Sequence, residues 1–121
     1  MRLLCADDEE DIRTILELAL GLDPELVVEV VSSGQEALDR LGHAEYDAVV
    51  LDGMMPGLDG YETCRRLKAD PRTAHLPVVF LTAKTQRDEI ARALALGALA
   101  CLTKPFDPLT LASELRNALG G

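Results

Sequence analysis

The sequence has little aromatic or basic character. Only 3% of its 121 residues are aromatic and tryptophan is absent, so aliphatic side chains must form most of the core. There are 12 Lys and Arg residues against 21 Asp and Glu residues, which gives a formal net charge of −9. A surface that binds nucleic acid needs an excess of positive charge opposite the phosphate backbone. The composition therefore argues against direct nucleic acid binding.

Long apolar runs are also missing, and cysteines are few. No segment approaches the roughly 18 apolar residues of a membrane span, and no charged segment followed by an apolar stretch marks a secretion signal. We therefore expect a cytoplasmic protein with no membrane partner. The three cysteines, Cys5, Cys64 and Cys101, lie in apolar segments, which favours buried thiols over a disulfide or a metal site.

Short apolar runs alternate with segments of helical periodicity along the chain. The runs predict strands over residues 2–6, 26–31, 48–51, 78–81 and 99–102, and the segments after them predict helices around residues 12–19, 37–41, 61–67, 90–94 and 111–119. Five strand-helix repeats predict an α/β fold with a doubly wound parallel sheet and helices on both faces, as in flavodoxin-like proteins. Glu29 interrupts the second run, which favours an edge strand and the order 2-1-3-4-5.

Polar residues near the predicted helix starts have the spacing of helix caps. Two pairs match a capping box, Ser33 with Glu36 and Asp59 with Glu62, and Asp107 before Pro108 predicts the start of the last helix. Three glycines are predicted helix stops: Gly21, Gly42 and Gly97. The sequence shows no linker or low-complexity segment, so we expect residues 1–121 to form one domain without an output domain.

Polar residues follow the predicted strands at the edge where such sheets bind ligands. That edge lies beside the carboxyl ends of the strands, near the point where the strand order reverses. The residues placed there are Asp7, Asp8, Asp52, Thr82 and Lys104. Taken singly, the acids fit a solvated helix start and Lys104 fits an exposed surface. Their arrival from separate strands favours a functional site.

The chemistry of these groups narrows the function. Three neighbouring carboxylates repel one another, and Mg²⁺ is the cation that such oxygen ligands suit, so the acids predict a magnesium site. Once the cation neutralises the acids, an anionic phosphoryl group can approach. Thr82 and Lys104 are placed to hold its oxygens, with Asp52 as the nucleophile. The predicted product is an aspartyl phosphate.

Four segments carry these residues in a familiar order and spacing: CADDEEDIR, VVLDGMMPGLDG, FLTA and GALACLTKPF. Together they resemble the receiver domain of two-component response regulators, and the chain is similar along its whole length to single-domain chemotaxis-type receivers. The resemblance implies a signalling switch that accepts a phosphoryl group on Asp52 from a sensor histidine kinase or a phosphotransfer protein. It implies no enzyme activity beyond the domain's own phosphoryl transfer and self-dephosphorylation.

The resemblance also implies roles for individual residues. The protein ligands of Mg²⁺ would be Asp7, Asp8, Asp52 and the carbonyl of Met54. Asp8 would bind the ion directly, and Asp7 largely through water. Thr82 and Lys104 would contact the phosphoryl group, and the peptide bond before Pro105 would be cis. The kinase would dock on the first helix, and a downstream protein target would bind the face made by the fourth helix, fifth strand and fifth helix.

Several positions depart from the family pattern. Gly53 replaces the bulky apolar residue common after the acceptor, which predicts looser packing there. Cys101 stands where many receivers carry an aromatic switch residue, which predicts output through the loop after the fourth strand and a helix beginning near Thr85 instead. Met54 and Lys84 flank the acceptor and are unsuited to orienting and deprotonating a water, which predicts slow self-dephosphorylation.

Three other functions fit parts of the sequence. One is a receiver-like interaction module that works without phosphorylation, although no site residue is missing. Another is a phosphatase that forms an aspartyl phosphate, which would need an acid two residues after the nucleophile, where this chain has Met54. The third is a flavin-binding electron carrier, which would need a phosphate-cradling loop where the acids of residues 7–11 would repel a phosphate.

Overall fold

The structure, a computed structural model, describes residues 1–83 and 87–120. Within these residues the elements are β1 (Arg2–Ala6), α1 (Glu10–Gly21), β2 (Val27–Val31), α2 (Gly34–Leu41), β3 (Ala48–Asp52), α3 (Gly60–Ala69), β4 (Val78–Ala83), α4 (Arg87–Ala95), β5 (Ala100–Lys104) and α5 (Leu111–Ala118). All strand pairs are parallel, and their order is β2-β1-β3-β4-β5. The predicted doubly wound α/β fold is confirmed, with β2 at one edge.

The sheet is covered on both faces because its central strands are apolar except near their ends. Side chains of successive strand residues point to opposite faces, so alternate residues enter two separate cores. The core shared with α1 and α5 contains Leu3, Cys5, Leu16, Leu20, Val50, Leu81, Leu111 and Leu115. The core shared with α2, α3 and α4 contains Leu4, Ala37, Leu51, Tyr61, Leu67, Phe80 and Ala93. Burial of each large aliphatic side chain contributes about 1.5–3 kcal/mol, so two mainly aliphatic cores hold the strands in register.

The helices that follow the two predicted capping boxes begin where the sequence places them. Ser33 Oγ accepts a hydrogen bond from the backbone N–H of Glu36 at 3.1 Å, and Asp59 Oδ1 accepts one from that of Glu62 at 2.8 Å. Within the described residues the return bonds of a full capping box are absent: the Glu36 carboxylate accepts from the N–H of Ser32 at 3.0 Å, and Glu62 pairs with arginines of its own helix. The Asp59 cap fixes the start of α3 just after the loop that follows β3.

The start of α5 differs from the prediction. Asp107 was expected to cap the helix, but α5 begins at Leu111. Asp107 Oδ1 accepts a hydrogen bond from the N–H of Leu109 at 2.9 Å, and its carbonyl accepts one from the N–H of Leu111 at 3.0 Å. Asp107 therefore closes a turn over residues 108–110, and the helix starts only after that turn.

The glycines near the helix ends behave in different ways. Gly42 caps α2, and Gly97 follows α4 with φ of 99°, a left-handed conformation that favours glycine. Gly21 is instead the last residue of α1, and Leu22 caps that helix. In the part of the chain that the structure describes, no helix has the length and apolar character that crossing a bilayer requires.

Candidate functional site

The carboxyl ends of β1 and β3 bring three carboxylates together. Asp7 and Asp8 follow β1, and Asp52 is the last residue of β3. One oxygen from each of the three lies within 4.8 Å of the other two. Asp7 is completely buried, Asp52 is 6% exposed and Asp8 is exposed to solvent. The three acids predicted as a metal site are therefore adjacent, with Asp8 on the solvent side.

The side chain of Lys104, the last residue of β5, reaches two of these acids. Its Nζ donates a hydrogen bond to Asp7 Oδ2 at 2.7 Å and lies 3.3 Å from Asp52 Oδ1. Burial lowers the pKa of Lys104, but the hydrogen bond to Asp7 and the negative charges of both acids outweigh it, so the net pKa is raised. Lys104 is therefore a fixed cation beside Asp52. The bond between Lys104 and Pro105 is cis, as the family resemblance implied.

Hydrogen bonds with backbone and side-chain groups hold Asp7 in place. Its N–H donates to the carbonyl of Val31 at 3.1 Å, and its own carbonyl accepts from Arg13 Nη1 at 2.9 Å. Asp7 Oδ1 accepts from the N–H of Glu9 at 2.9 Å, while Oδ2 accepts from Lys104. Both carboxylate oxygens are thus engaged within the protein, which is what allows a charged group to be fully buried.

The Asp52 carboxyl lies in a less favourable environment. Burial raises its pKa and the charge of Asp7 adds to the rise, whereas the charge of Lys104 and a hydrogen bond from Met54 lower it. The Met54 N–H lies 3.3 Å from Asp52 Oδ1, which is a long hydrogen bond. Burial predominates, so the pKa of Asp52 is raised overall. A further cation beside Asp52 would therefore stabilise its anionic form. A change that gave the group more contact with water would do the same.

Thr82 completes the set of residues predicted from the strand ends. It lies near the end of β4, is 4% exposed and lines a pocket of about 190 Å³ together with Asp52 and Lys104. Among the residues that the structure describes, no group forms a hydrogen bond with its hydroxyl. Leaving a buried hydroxyl unpaired costs about 1–3 kcal/mol. An anionic oxygen bound in this pocket would remove that cost.

The loop after Asp52 returns so closely to β3 that a side chain is excluded at its end. A Cβ on Gly60 would lie 2.2 Å from the backbone oxygen of Asp52, and the N–H of Gly60 donates to the carbonyl of Gly53 at 3.2 Å. Gly57, at the tip, has φ of 72°, which suits glycine. β3 and the first residue of α3 are therefore held together at the base of this loop.

Gly53 does not leave a loose region, and the prediction of looser packing is wrong. A Cβ at this position would lie 2.8 Å from the hydroxyl oxygen of Tyr61, so a ring from α3 occupies the space that a larger residue at position 53 would need. Cys101, the position of the expected aromatic switch, is half-buried and packs against the core that contains Tyr61.

Two further acids line the pocket that contains Asp52, Thr82 and Lys104: Glu9, just after the Asp pair, and Glu89, in the first turn of α4. Sequence reasoning missed both, and it also missed Tyr61. Lys84 and Thr85, for which the sequence predicted roles, lie outside the described residues.

Comparisons with known proteins agree with this geometry. The family model for the response regulator receiver domain matches residues 3–116. The response regulator PleD of Caulobacter vibrioides is 39% identical over 116 residues, which cover 96% of this chain and 25% of PleD. The chain spans a quarter to about half of the length of the curated relatives it matches.

Solved structures extend the similarity to the whole fold. Chemotaxis protein CheY4 of Vibrio cholerae has a TM-score of 0.88 and 30% identity, with 97% of each chain covered. The receiver domain of the sensor histidine kinase PA1611 from Pseudomonas aeruginosa, described with a magnesium ion coordinated in the active site cleft, has a TM-score of 0.86 and 28% identity, with 99% of this chain and 98% of that one covered. The sequence match and the shared fold together show that this chain belongs to the receiver domain family of response regulators.

Proposed function

We propose that residues 1–121 form one receiver domain that is switched on by Mg²⁺-dependent phosphorylation of Asp52. One observation carries the proposal: a single pocket at the sheet edge joins a raised-pKa carboxylate, a fixed cation and a buried hydroxyl without a described partner, namely Asp52, Lys104 and Thr82. The adjacent Asp7 and Asp8 complete a charge arrangement suited to a divalent cation.

The donor groups fit a magnesium ion. Asp8 is exposed and Asp52 has an oxygen within 4.8 Å of it, so both offer oxygens at the mouth of the site. The oxygens of Asp7 already accept hydrogen bonds, so Asp7 would act through water, and the carbonyl of Met54 would complete the protein ligands. When bound, the cation supplies positive charge to the phosphoryl oxygens. The magnesium in the PA1611 receiver domain supports this assignment.

The chain's own residues account for the transfer. An oxygen of Asp52 attacks the phosphorus of a phosphorylated histidine, so a P–O bond forms and the P–N bond breaks. The electron pair of that bond goes to the imidazole, which takes up a proton from solvent. Lys104 and the Thr82 hydroxyl donate hydrogen bonds to the phosphoryl oxygens, and β3 fixes Asp52 for in-line attack. The chain needs no activity of its own beyond this transfer and slow self-dephosphorylation.

Partner binding is assigned to two different surfaces. An apolar cleft of about 310 Å³ adjoins Lys104 and is lined by Ile12, Ile15, Pro105, Phe106 and Pro108. A sensor histidine kinase or phosphotransfer protein would dock here, because its phosphohistidine must reach Asp52. A downstream protein would bind the α4, β5 and α5 face, where Leu94 and Leu99 are exposed. The net charge of −9 disfavours nucleic acid as that partner.

The test is phosphorylation by acetyl phosphate in the presence of Mg²⁺, read by intact mass. We expect the parent chain to gain one phosphoryl group, Asp52→Asn to gain none, and the matched variant Asp11→Asn to behave as the parent. Chelation of Mg²⁺ should prevent labelling. Equal labelling of Asp52→Asn would identify a different acceptor. No labelling of the parent, from acetyl phosphate or from a phosphorylated histidine kinase, would favour the module that works without phosphorylation.

A further inference from the structure

The side chain of Tyr61 links the acceptor loop to two other elements. Its hydroxyl oxygen lies so close to Gly53 that a Cβ there would be 2.8 Å away. Its ring stacks on Phe80 of β4, with centroids 5.3 Å apart and planes inclined by 21°. Tyr61 is 2% exposed, and burial, followed by the nearby charge of Glu89, raises its pKa to about 12. The phenol is therefore neutral, and it lies beside the residue after Asp52 and near an acid of α4.

Helix α4 is attached to the rest of the domain by few apolar side chains. Among its residues, Arg87–Ala95, Ala93 alone is buried. Two charged side chains of this helix meet Tyr61 instead. The guanidinium carbon of Arg92 lies 4.3 Å from the ring centroid. The Glu89 carboxylate is near enough for its charge to raise the pKa of the hydroxyl, although no described residue forms a hydrogen bond with that hydroxyl. Glu89 and Arg92 are three residues apart and so share a helix face. The position of α4 thus depends on contacts that respond to charge.

Glu89 also lines the pocket that contains Asp52, Thr82 and Lys104. With Mg²⁺ and Lys104 balancing the three aspartates, phosphorylation of Asp52 replaces a singly charged group with one that carries up to about two negative charges. The pocket becomes more negative beside a carboxylate that is already there. Like charges in a partly desolvated pocket repel one another strongly, so this repulsion favours movement of the Glu89 carboxylate out of the pocket.

We propose that Glu89 is the residue through which the phosphoryl charge acts on α4, and that Tyr61 is the positioning residue that keeps Glu89 at the pocket beforehand. Repulsion by the phosphoryl group moves Glu89 away from Asp52 and from the Tyr61 hydroxyl, and the first turn of α4 moves with it. This inference rests on the proposed function, because it requires a phosphoryl group on Asp52. In this inference the ring of Tyr61 in α3 takes part in signalling, a role for which Cys101 of β5 is too small.

The scarcity of aromatic residues provides a direct measurement. Tyr46→Phe makes Tyr61 the only tyrosine of a chain without tryptophan, so its ring resonances and fluorescence report on one site. In this background we expect beryllofluoride with Mg²⁺, a mimic of the phosphoryl group, to shift the Tyr61 ring signals and the amide signals of residues 87–95. The amide of Thr82 reports separately that the mimic is bound.

Three variants separate the explanations. Glu89→Gln keeps the shape of residue 89 and removes its charge, so it should lose most of the α4 and Tyr61 shifts. By reciprocity it should also bind beryllofluoride more tightly than the parent. Asp88→Asn removes the same charge from the neighbouring exposed position and should match the parent in both measurements. Tyr61→Phe keeps the ring and removes the hydroxyl, so it should reduce the α4 shifts while the Arg92 contact remains.

The outcomes distinguish failure of this inference from failure of the proposed function on which it rests. If Glu89→Gln and Tyr61→Phe retain the full α4 shifts and the parent affinity while Thr82 responds normally, Glu89 does not carry the signal and the inference is wrong. If the parent shows no response at Thr82, the proposed phosphoryl site is itself wrong. Should Glu89→Gln not fold, as judged by its amide dispersion, Tyr61→Phe alone decides, because it leaves every charge in the pocket unchanged.

Discussion

Two carboxylates of the same sheet, Asp52 in β3 and Glu29 in β2, are each paired with a cation from another element. Lys104 lies 3.3 Å from Asp52, and Arg40 lies 3.0 Å from Glu29. The pKa of Glu29 is lowered, mainly by a hydrogen bond from Tyr46 and then by Arg40, whereas burial raises the pKa of Asp52 despite its cation. The Asp52 side chain is 9% exposed and that of Glu29 is 34% exposed.

The difference shows that pairing with a cation does not by itself determine whether the ionised form of a carboxyl group is stabilised. At the sheet edge, water and Tyr46 solvate Glu29, and the ion pair needs little from the protein. In the pocket, Asp52 has lost most of its water and shares Lys104 with Asp7. Such a site keeps an anion in an unfavourable state that a metal ion or a phosphoryl donor can relieve. The ion pair of Glu29 and Arg40 lies on an edge strand, where charged side chains discourage the addition of a further strand.

Removal of the cation that pairs with each carboxylate should have the largest effect on the free energy of unfolding, and only for the pair in the pocket. Lys104→Met leaves two buried carboxylates without their shared cation, so we expect a loss of about 3 kcal/mol in the free energy of unfolding. Arg40→Met, at an exposed position, should change it little. Urea unfolding of the two variants against the parent measures both effects. Equal losses would mean that burial of Asp7 and Asp52 does not set the energy of the site.

Adding a cation should have the next largest effect, again confined to the pocket. Mg²⁺ at about 100 times its dissociation constant should raise the free energy of unfolding by about 2.7 kcal/mol, because it binds the folded state. Asp8→Asn, at an exposed ligand position, should lose most of this gain while keeping the stability of the metal-free parent. Asp11→Asn, another exposed acid of the same segment, is the control and should keep the gain. A thermal melt with and without Mg²⁺ decides, and a full gain in Asp8→Asn would remove that residue from the ligand set.

The smallest effect should be a pair of opposite pH dependences. The pKa of Asp52 is raised above 3.8, so its contribution to stability is present below that pH and is lost as pH rises through the native value. Asp52→Asn should therefore become more stable relative to the parent as pH increases towards neutrality. The pKa of Glu29 is lowered below 4.5, so its contribution is present above that pH and is lost as pH falls through the native value.

Glu29→Gln should accordingly be less stable than the parent near neutrality and should approach it in acid. Urea unfolding of both variants across the acid range, without Mg²⁺, gives the two slopes. Slopes of the same sign for Asp52→Asn and Glu29→Gln would contradict the assignment of burial as the dominant influence on Asp52.

Most of the fold follows from local patterns in the sequence. Apolar runs and helical spacing predict five strands and five helices, and Glu29 alone places β2 at the edge. The errors concern element ends. β4 continues to Ala83 and β5 to Lys104, because ladder pairing with a neighbouring strand extends each beyond its apolar run. The late start of α5 has a similar cause, since Asp107 hydrogen-bonds within a turn that has the same local signature as a helix cap.

The residues of the candidate site also divide into those that local patterns predict and those that they do not. Its acids, Thr82 and Lys104 were predictable because a strand end in a parallel sheet fixes their place. Tyr61 and Glu89 were not, because their place depends on how α3 and α4 rotate and pack, which no local pattern encodes. Gly53 carried a signal that was misread: its missing side chain was taken as empty space, whereas a ring eight residues later fills it.

The closed base of the loop between Asp52 and Gly60 has a consequence for how such domains diverge. Because backbone contacts fix both ends, the exposed side chains between them can be exchanged without changing the distance from Asp52 to α3. Met54, 64% exposed, and the exposed Pro56 present themselves to whatever protein approaches the pocket. Substitutions here can retune recognition of a donor while Asp52, Thr82 and Lys104 stay in place. The loop is therefore a natural place to introduce new partner specificity without moving Asp52.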